Sequence, residues 1–191
     1  MCDDGNSLEF ALPKFEIRPP TLEDAAAFID YLRALHQNVD HPGVIPRSEF
    51  PSADVQREWI TKYTVGDGFC LLVLSGERIV GCAELTRGRG AHRMHCASLG
   101  VSLLKEARGQ GYGTRLIEML HEWARGQTGL ERIQLEVFHT NPGAIRLYER
   151  FGYVHEGRRV GAMKRYGESI DMIQMSMPIV GTQSDTTGHH G

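Results

Sequence analysis

Residues 107–114, which read Ala-Arg-Gly-Gln-Gly-Tyr-Gly-Thr, have the composition of a phosphate-binding turn. They follow an apolar, strand-like stretch at 99–104 and continue into an amphipathic helical pattern at 116–123. A glycine-rich turn in this position exposes a row of backbone N–H groups at the N-terminus of a helix, which attracts phosphate. The segment therefore predicts a site for a phosphate-bearing ligand.

The spacing of the glycines argues against two common phosphate sites. A Rossmann turn has the pattern G-x-G-x-x-G, but here Leu116 stands where the third glycine would fall, and a Walker A loop needs a lysine that is missing. What remains is Arg108-x-x-Gly111-x-Gly113, in which the glycines would let the backbone approach a pyrophosphate. A turn that binds nothing is the alternative, although a simple connector does not need three glycines in five residues.

Strand-like and helix-like patterns alternate along the chain. A helix is predicted to begin at Thr21, and another at Asn141 with Pro142 in its first turn. Helical patterns also occupy 53–63 and 111–126, and strand patterns occupy 15–17, 69–74, 78–85, 94–104, 133–138, 153–158 and 169–177. The alternation predicts a single α/β domain with a mixed sheet of six or seven strands and helices on both faces.

Length and composition limit the class of protein. The 191 residues predict one domain at 13–178 between disordered segments at 1–12 and 179–191. A net charge of −3 argues against a dedicated nucleic-acid binder, and the longest apolar runs are too short to span a membrane. The four cysteines include no C-x-x-C pair, and His92, His95 and Cys96 are too few for a metal site. We expect a reduced, cytoplasmic protein without a bound metal.

Two segments resemble the GCN5-related N-acetyltransferase (GNAT) superfamily. Residues 99–114 resemble its acetyl-CoA motif of strand, R-x-x-G-x-G turn and helix. Residues 141–153 are similar to its N-x-x-A-x-x-L-Y-x-x-x-G-F segment, with Tyr153 in place of phenylalanine. Lys105 and Ala107 depart from the family, in which many members carry a proline and an aromatic residue there. The resemblance covers about residues 15–178 and implies a GNAT-like domain that uses acetyl-CoA as co-substrate.

The resemblance also implies roles for individual residues. The strand backbone at Val101 and Leu103 would pair with the pantetheine arm, Asn141 would contact the cofactor, and Tyr148 would direct its hydroxyl at the thioester sulfur. The amides that would hold the pyrophosphate belong to Arg108, Gly109, Gln110, Gly111, Tyr112, Gly113 and Thr114.

Acetyl transfer to an amine needs a neutral amine, a polarised thioester carbonyl and a protonated leaving thiolate. Tyr148 is the candidate acid, with a packed core aromatic as the alternative, and the Leu103 N–H is a candidate oxyanion donor. The base stays open between Glu84, in the strand at 78–85, and His95, whose imidazole is a residue type suited to base work. Glu84 would point to solvent if the strand alternation turned it outward. Glu136 and His139 are further candidates.

The acceptor is less constrained than the donor. The segment between the first two helices has mixed charge, which suits an amino acid, a small amine or a peptide N-terminus better than a polycation. It contains His36, Asp40, His41, Arg47, Glu49 and Phe50. Residues 156–171 resemble the branch that acetylates ribosomal-protein N-termini and free amino acids. The sequence predicts an N-acetyltransferase, with a catalytically silent acyl-CoA-binding or sensing module as the alternative, and exposed edges at the last two strands make a homodimer possible.

Overall fold

The computed structural model describes residues 15–38, 41–45, 47–66 and 68–179. These residues form α-helices α1 (Ala25–Gln37), α2 (Ala53–Thr64), α3 (Tyr112–Arg125) and α4 (Pro142–Arg150). The strands are β1 (Glu16–Arg18), β2 (Gly68–Ser75), β3 (Arg78–Arg87), β4 (Cys96–Leu103), β5 (Arg132–Phe138), β6 (Val154–Arg165) and β7 (Glu168–Pro178).

The strands form one seven-stranded sheet in the order β1-β2-β3-β4-β5-β7-β6. The pair β4–β5 is parallel, and the other neighbouring pairs are antiparallel. The ring of Trp123 on α3 stacks on Phe69 of β2, whereas α1 and α2 share a cavity with Glu84. Phe69 is one residue from Cys70, the partner of Glu84 in the register, so these helices cover opposite faces. The predicted mixed α/β sheet is confirmed.

The spacing of the buried residues follows the geometry of each helix and strand. On α3 the residues Leu116, Ile117, Leu120 and Ala124 are fully buried, at the spacing of one helical face. Burying a leucine or isoleucine side chain of this kind stabilises the fold by about 2 kcal/mol. The central strands β2 and β3 are buried on both faces, as expected for strands covered by helices on each side.

Several boundaries differ from the sequence prediction, three of them in ways that change an element or the end of the domain. A 3-10 turn at Leu22–Asp24 follows Thr21, so that α1 begins only at Ala25. β6 continues to Arg165, seven residues beyond the predicted end, because it pairs with β7 although its outer residues are exposed and show no apolar alternation. Ile179, predicted to belong to the tail, donates its amide to the Glu131 carbonyl at 2.7 Å. The rest of the predicted terminal segments, 1–12 and 180–191, lies outside the described residues.

Candidate active site

A split in the sheet opens the site. β4 pairs with β5 only over its first three residues, whereas it pairs with β3 as far as Leu103. The amide of Leu104 donates to the Val80 carbonyl of β3 at 2.8 Å. Because strand amides alternate in direction, those of Leu103 and Val101 face the opposite, open side. The second half of β4 therefore offers unpaired backbone groups to a cleft.

The glycine turn closes one end of this cleft. Gly109 and Gly111 have φ values of 69° and 84°, in the left-handed region that favours glycine. A Cβ at either position would meet nothing within 4 Å, so both face open space. Gly111 is the N-cap of α3, whose first N–H groups have no partner within the helix. A Cβ on Gly113 would lie 3.2 Å from Leu147, so this glycine allows α3 and α4 to approach.

Arg108 carries a positive charge into the same end of the cleft. Its Nε donates to the Leu103 carbonyl at 2.9 Å, which anchors the side chain to β4. Its Nη2 is buried and has no hydrogen-bond partner among the described residues. Burial lowers the pKa of Arg108 from its usual value, as expected where a cation is removed from water. An anion bound to the turn would supply the missing partner.

Helix α4 forms the opposite wall. The Asn141 side chain accepts the Ala144 amide at 3.2 Å, and Pro142 occupies the first turn, so the predicted cap is confirmed. Tyr148 lies two turns along the helix. Burial, together with the charge of Glu84, raises the pKa of Tyr148 to about 12. Its phenol is therefore protonated at neutral pH and able to donate.

The cleft between these walls has a volume of about 690 Å³. Nine of the eleven residues predicted to contact the cofactor line it. They are Val101, Leu103, Arg108, Gly109, Gly111, Gly113, Thr114, Asn141 and Tyr148. The side chains of the two others point away from it: Gln110 donates its side-chain amide to the Glu106 carbonyl, and the Tyr112 hydroxyl accepts the Phe15 amide at 2.9 Å. The predicted role of both residues concerns their backbone amides and stays a prediction.

His41 lines the cleft, although the sequence assigned it to the acceptor loop. Its Nδ1 accepts the Gly43 amide at 3.1 Å, so the proton of the neutral ring is on Nε2. Nε2 is buried, and the Leu103 carbonyl is close enough to influence it, but no described residue meets hydrogen-bond geometry. Burial and the charge of Arg108 lower the pKa of His41 to about 4. The ring is therefore a neutral donor beside the cleft.

A second cavity of about 550 Å³ lies on the other side of β4. Glu84 lines it, and burial raises the pKa of this carboxyl. The Cys82 thiol lies 3.6 Å from its Oε2. A Cβ on Gly100 would lie 2.2 Å from Oε1, so the carboxyl packs directly over the β4 backbone. The side chain is thus held against β4, in an environment that strengthens it as a base.

Ser102 joins the two cavities because it lines both. Its carbonyl oxygen lies 3.0 Å and its hydroxyl 2.7 Å from the Tyr31 hydroxyl. Tyr31 on α1 is buried, and burial raises its pKa well above the usual value. Tyr31 and Ser102 were not among the predicted site residues. The one sequence pattern that could have indicated Tyr31 is its helical spacing from Phe28, which places it on the face of α1 that packs against the sheet.

The other candidate bases are away from both cavities. His95 precedes β4, and its carbonyl accepts the amides of Glu131 and Arg132. It is five residues from Gly100, or roughly 16 Å along the strand from Glu84. Glu136 is exposed and pairs with Arg159 at 3.0 Å. His139 accepts the Asp171 amide at 3.1 Å. The structure brings Glu84 and Tyr148 to the two cavities and leaves these three residues outside.

No group of three histidine, cysteine or acidic side chains suited to a metal occurs within residues 15–38, 41–45, 47–66 and 68–179. Within the same ranges, the helices are all too short or too polar to cross a membrane.

Comparison with known proteins gives one matching family. The family model described as Acetyltransferase (GNAT) family matches residues 32–153, which include both cavity-lining strands and the glycine turn. A solved structure of a GNAT-family acetyltransferase from Streptococcus pneumoniae superimposes with a TM-score of 0.79 at 24% identity. It covers 86% of this chain and 99% of its own.

Curated relatives match over part of their length. The L-amino acid N-acetyltransferase AaaT of Escherichia coli (strain K12) is 29% identical over 102 residues, 51% of this chain and 60% of AaaT. The spermidine N(1)-acetyltransferase of Vibrio cholerae is 31% identical over 84 residues, 44% of this chain and 47% of that enzyme. The chain thus spans about half the length of these relatives.

Proposed function

We propose that this chain, which belongs to the Acetyltransferase (GNAT) family, transfers an acetyl group from acetyl-CoA to a primary amine by direct attack in a ternary complex. The observation that carries the proposal is a pair of cavities that share Ser102. One contains the glycine turn and Tyr148, and the other contains Glu84. This arrangement supports a donor thioester and an acceptor amine that meet across β4.

The donor would lie along the cleft between β4 and α4. The open amides of the glycine turn, with the unpaired Nη2 of Arg108, suit the pyrophosphate of CoA. The open backbone groups of Val101 and the N–H of Leu103 suit the amide-bearing pantetheine arm, whereas the Leu103 carbonyl already accepts from Arg108. His41 Nε2–H is a further donor for that arm, because it is buried beside the cleft without a partner in the described chain. Tyr148 would lie next to the thioester sulfur.

The reaction then needs no covalent enzyme intermediate. The amine nitrogen attacks the thioester carbon, and its proton passes to Glu84, whose raised pKa makes it a stronger base. The Leu103 N–H stabilises the oxyanion. When the C–S bond breaks, Tyr148 donates its proton to the departing thiolate. The products are an N-acetylated amine and CoA.

The class of acceptor amine is a further part of the proposal, because membership of the family does not specify it. The candidates are an amino acid, a small amine and a peptide N-terminus. The first is named for AaaT and the second for the spermidine enzyme. Mixed charge around the second cavity, with Arg47, Glu49 and Glu84 among its lining residues, supports a small acceptor over a polycation.

The test follows free thiol released from acetyl-CoA in the presence of amines from each class, with CoA binding measured separately by calorimetry. We expect tight CoA binding and amine-dependent thiol release that matches the N-acetylated product found by mass spectrometry. Tight CoA binding without turnover on any amine would instead support a silent acyl-CoA-binding or sensing module.

A further inference from the structure

We infer that the second cavity contains a carboxylate-binding subsite, formed by Gln56 and Arg47, and that the acceptor is an amino acid with a large apolar side chain. The inference rests on the proposed function, since it assigns the acceptor of the same reaction. It starts from the side-chain amide nitrogen of Gln56 in the cavity wall, which has no hydrogen-bond partner among the described residues.

Gln56 on α2 is the observation that carries the subsite. The residue is only 3% exposed, and it lines the cavity. Its backbone amide donates to the Ser52 carbonyl at 3.0 Å as part of the helix. Its side-chain Nε2, in contrast, is buried and has no hydrogen-bond partner in the described part of the chain. Buried amide donors are costly without an acceptor, so a ligand oxygen at this wall explains why a glutamine is there.

Arg47 adds charge at the same cavity. It lies in the segment before α2, and its guanidinium stacks over the Phe50 ring, 5.3 Å from the centroid. It forms no salt bridge with the acidic residues that the structure describes. Stacking holds the planar group in a defined position, and its forked donors suit a carboxylate.

The remaining wall is apolar and aromatic. The Phe28 ring lies 5.0 Å from Trp59 and 5.6 Å from Tyr31, so the three rings form one packed surface. Leu32, Phe50, Pro51 and Val55 extend this surface around the cavity. A wall of this kind stabilises an apolar side chain by removing it from water.

The three parts of the cavity correspond to the three groups of an apolar amino acid. Glu84 and Ser102, at β3 and β4, face the donor side and suit the amine. Gln56 and Arg47, on α2 and the segment before it, suit the carboxylate. The aromatic surface suits the side chain. A polyamine or an unsubstituted alkylamine would leave Gln56 unpaired.

The experiment compares matched acceptors that differ only in the carboxylate. L-Phenylalanine is paired with phenethylamine and L-leucine with 3-methylbutylamine, and spermidine and glycine complete the panel. We expect kcat/KM to be at least about 10-fold higher for each amino acid than for its decarboxylated partner. Spermidine or an alkylamine as the best acceptor would overturn the inference.

Variants assign the effect to the subsite. Arg47→Gln and Gln56→Leu should each raise KM for L-phenylalanine by about 10-fold and leave phenethylamine unchanged. The matched control is Arg33→Gln, because Arg33 is an exposed arginine on α1 that pairs with Asp30. This variant should not change KM for either acceptor. Equal effects of the subsite variants on both acceptors would contradict carboxylate binding. Arg47 is at the surface, so its variant remains informative if Gln56→Leu is unstable.

A binding measurement separates this inference from the proposed function. Calorimetry with L-phenylalanine and phenethylamine, in the presence of a CoA analogue that cannot donate acetyl, reports the subsite without turnover. Selective binding of L-phenylalanine that is lost in Arg47→Gln supports the subsite even if no amine is acetylated. Turnover on amines without any preference for the carboxylate keeps the proposed function and refutes the subsite.

Discussion

Replacing Gly100 with alanine should displace the Glu84 carboxyl without altering its chemistry. The new Cβ would lie 2.2 Å from Oε1 and 2.8 Å from Cδ of Glu84, whereas ordinary contact begins near 3.4 Å. The oxygen must therefore move by about 1.2 Å, and a misplacement of about 1 Å costs roughly 10²-fold in rate. We expect kcat/KM to fall by about 10²-fold, which corresponds to ~2.7 kcal/mol of transition-state stabilisation.

The assay is thiol release with the best acceptor of the panel, together with the Kd for CoA and the melting temperature. Gly100 does not line the cleft between β4 and α4, which is the proposed CoA site, so the Kd for CoA should stay unchanged. Gly157→Ala on β6 is the matched control, because its Cβ would lie 3.3 Å from the flexible Gln174 side chain, outside both cavities. That variant should keep full activity.

A double variant tests whether Gly100 acts through Glu84. In the Glu84→Gln background, Gly100→Ala should cause little further loss, because the group that it displaces is no longer a base. Losses that add in full would refute the reasoning and point to distortion of β4 instead. Full activity of Gly100→Ala, with a melting temperature near wild type, would remove Glu84 as the base.

Three further predictions concern other groups. Tyr148→Phe should lower kcat by about 10²-fold at pH 7 with unchanged Kd for CoA, and a wild-type rate would exclude it as the acid. His41→Phe should weaken CoA binding by about 10-fold but not the binding of adenosine 3′,5′-bisphosphate, which lacks pantetheine; equal weakening of both would argue for a structural role. Burial, with the charge of Arg125, lowers the pKa of His121 to about 4, so the unfolded chain binds its proton first as pH falls. Stability should therefore fall by up to ~1.4 kcal/mol per pH unit between about 6.5 and 4, and urea unfolding of His121→Phe should show a shallower decline.

The cleft between β4 and α4 was largely predictable because its determinants are local. The Asn141 cap and the positive φ angles of Gly109 and Gly111 are properties of short segments. The positions at which α3 and α4 begin follow from these segments. The directions of the side chains within the glycine turn were harder to predict from the sequence. Gln110 and Tyr112 belong to the same run of residues, yet their side chains contact Glu106 and Phe15.

The two candidate bases show what an apolar alternation along one strand cannot predict. His95 and Glu84 were both reasonable from residue type, but the register of β3 against β4 pairs Glu84 with Gly100 and leaves His95 beyond the strand end. Register depends on pairing between segments that are distant in sequence. The Glu84 carboxyl also faces the cavity because α1 and α2 cover that side of the sheet, which no pattern within 78–85 reveals.

The sequence by itself determined the fold class and the local conformations that line the cleft between β4 and α4, because glycine conformation, helix capping and apolar periodicity act over a few residues. Only the tertiary structure decided the second cavity, which is the proposed acceptor site. That cavity is assembled from α1, the segment before α2, α2, β3 and β4, and the burial of Gln56 and Glu84 depends on how these elements pack. A side chain's partner and its pKa are set by what surrounds it in space.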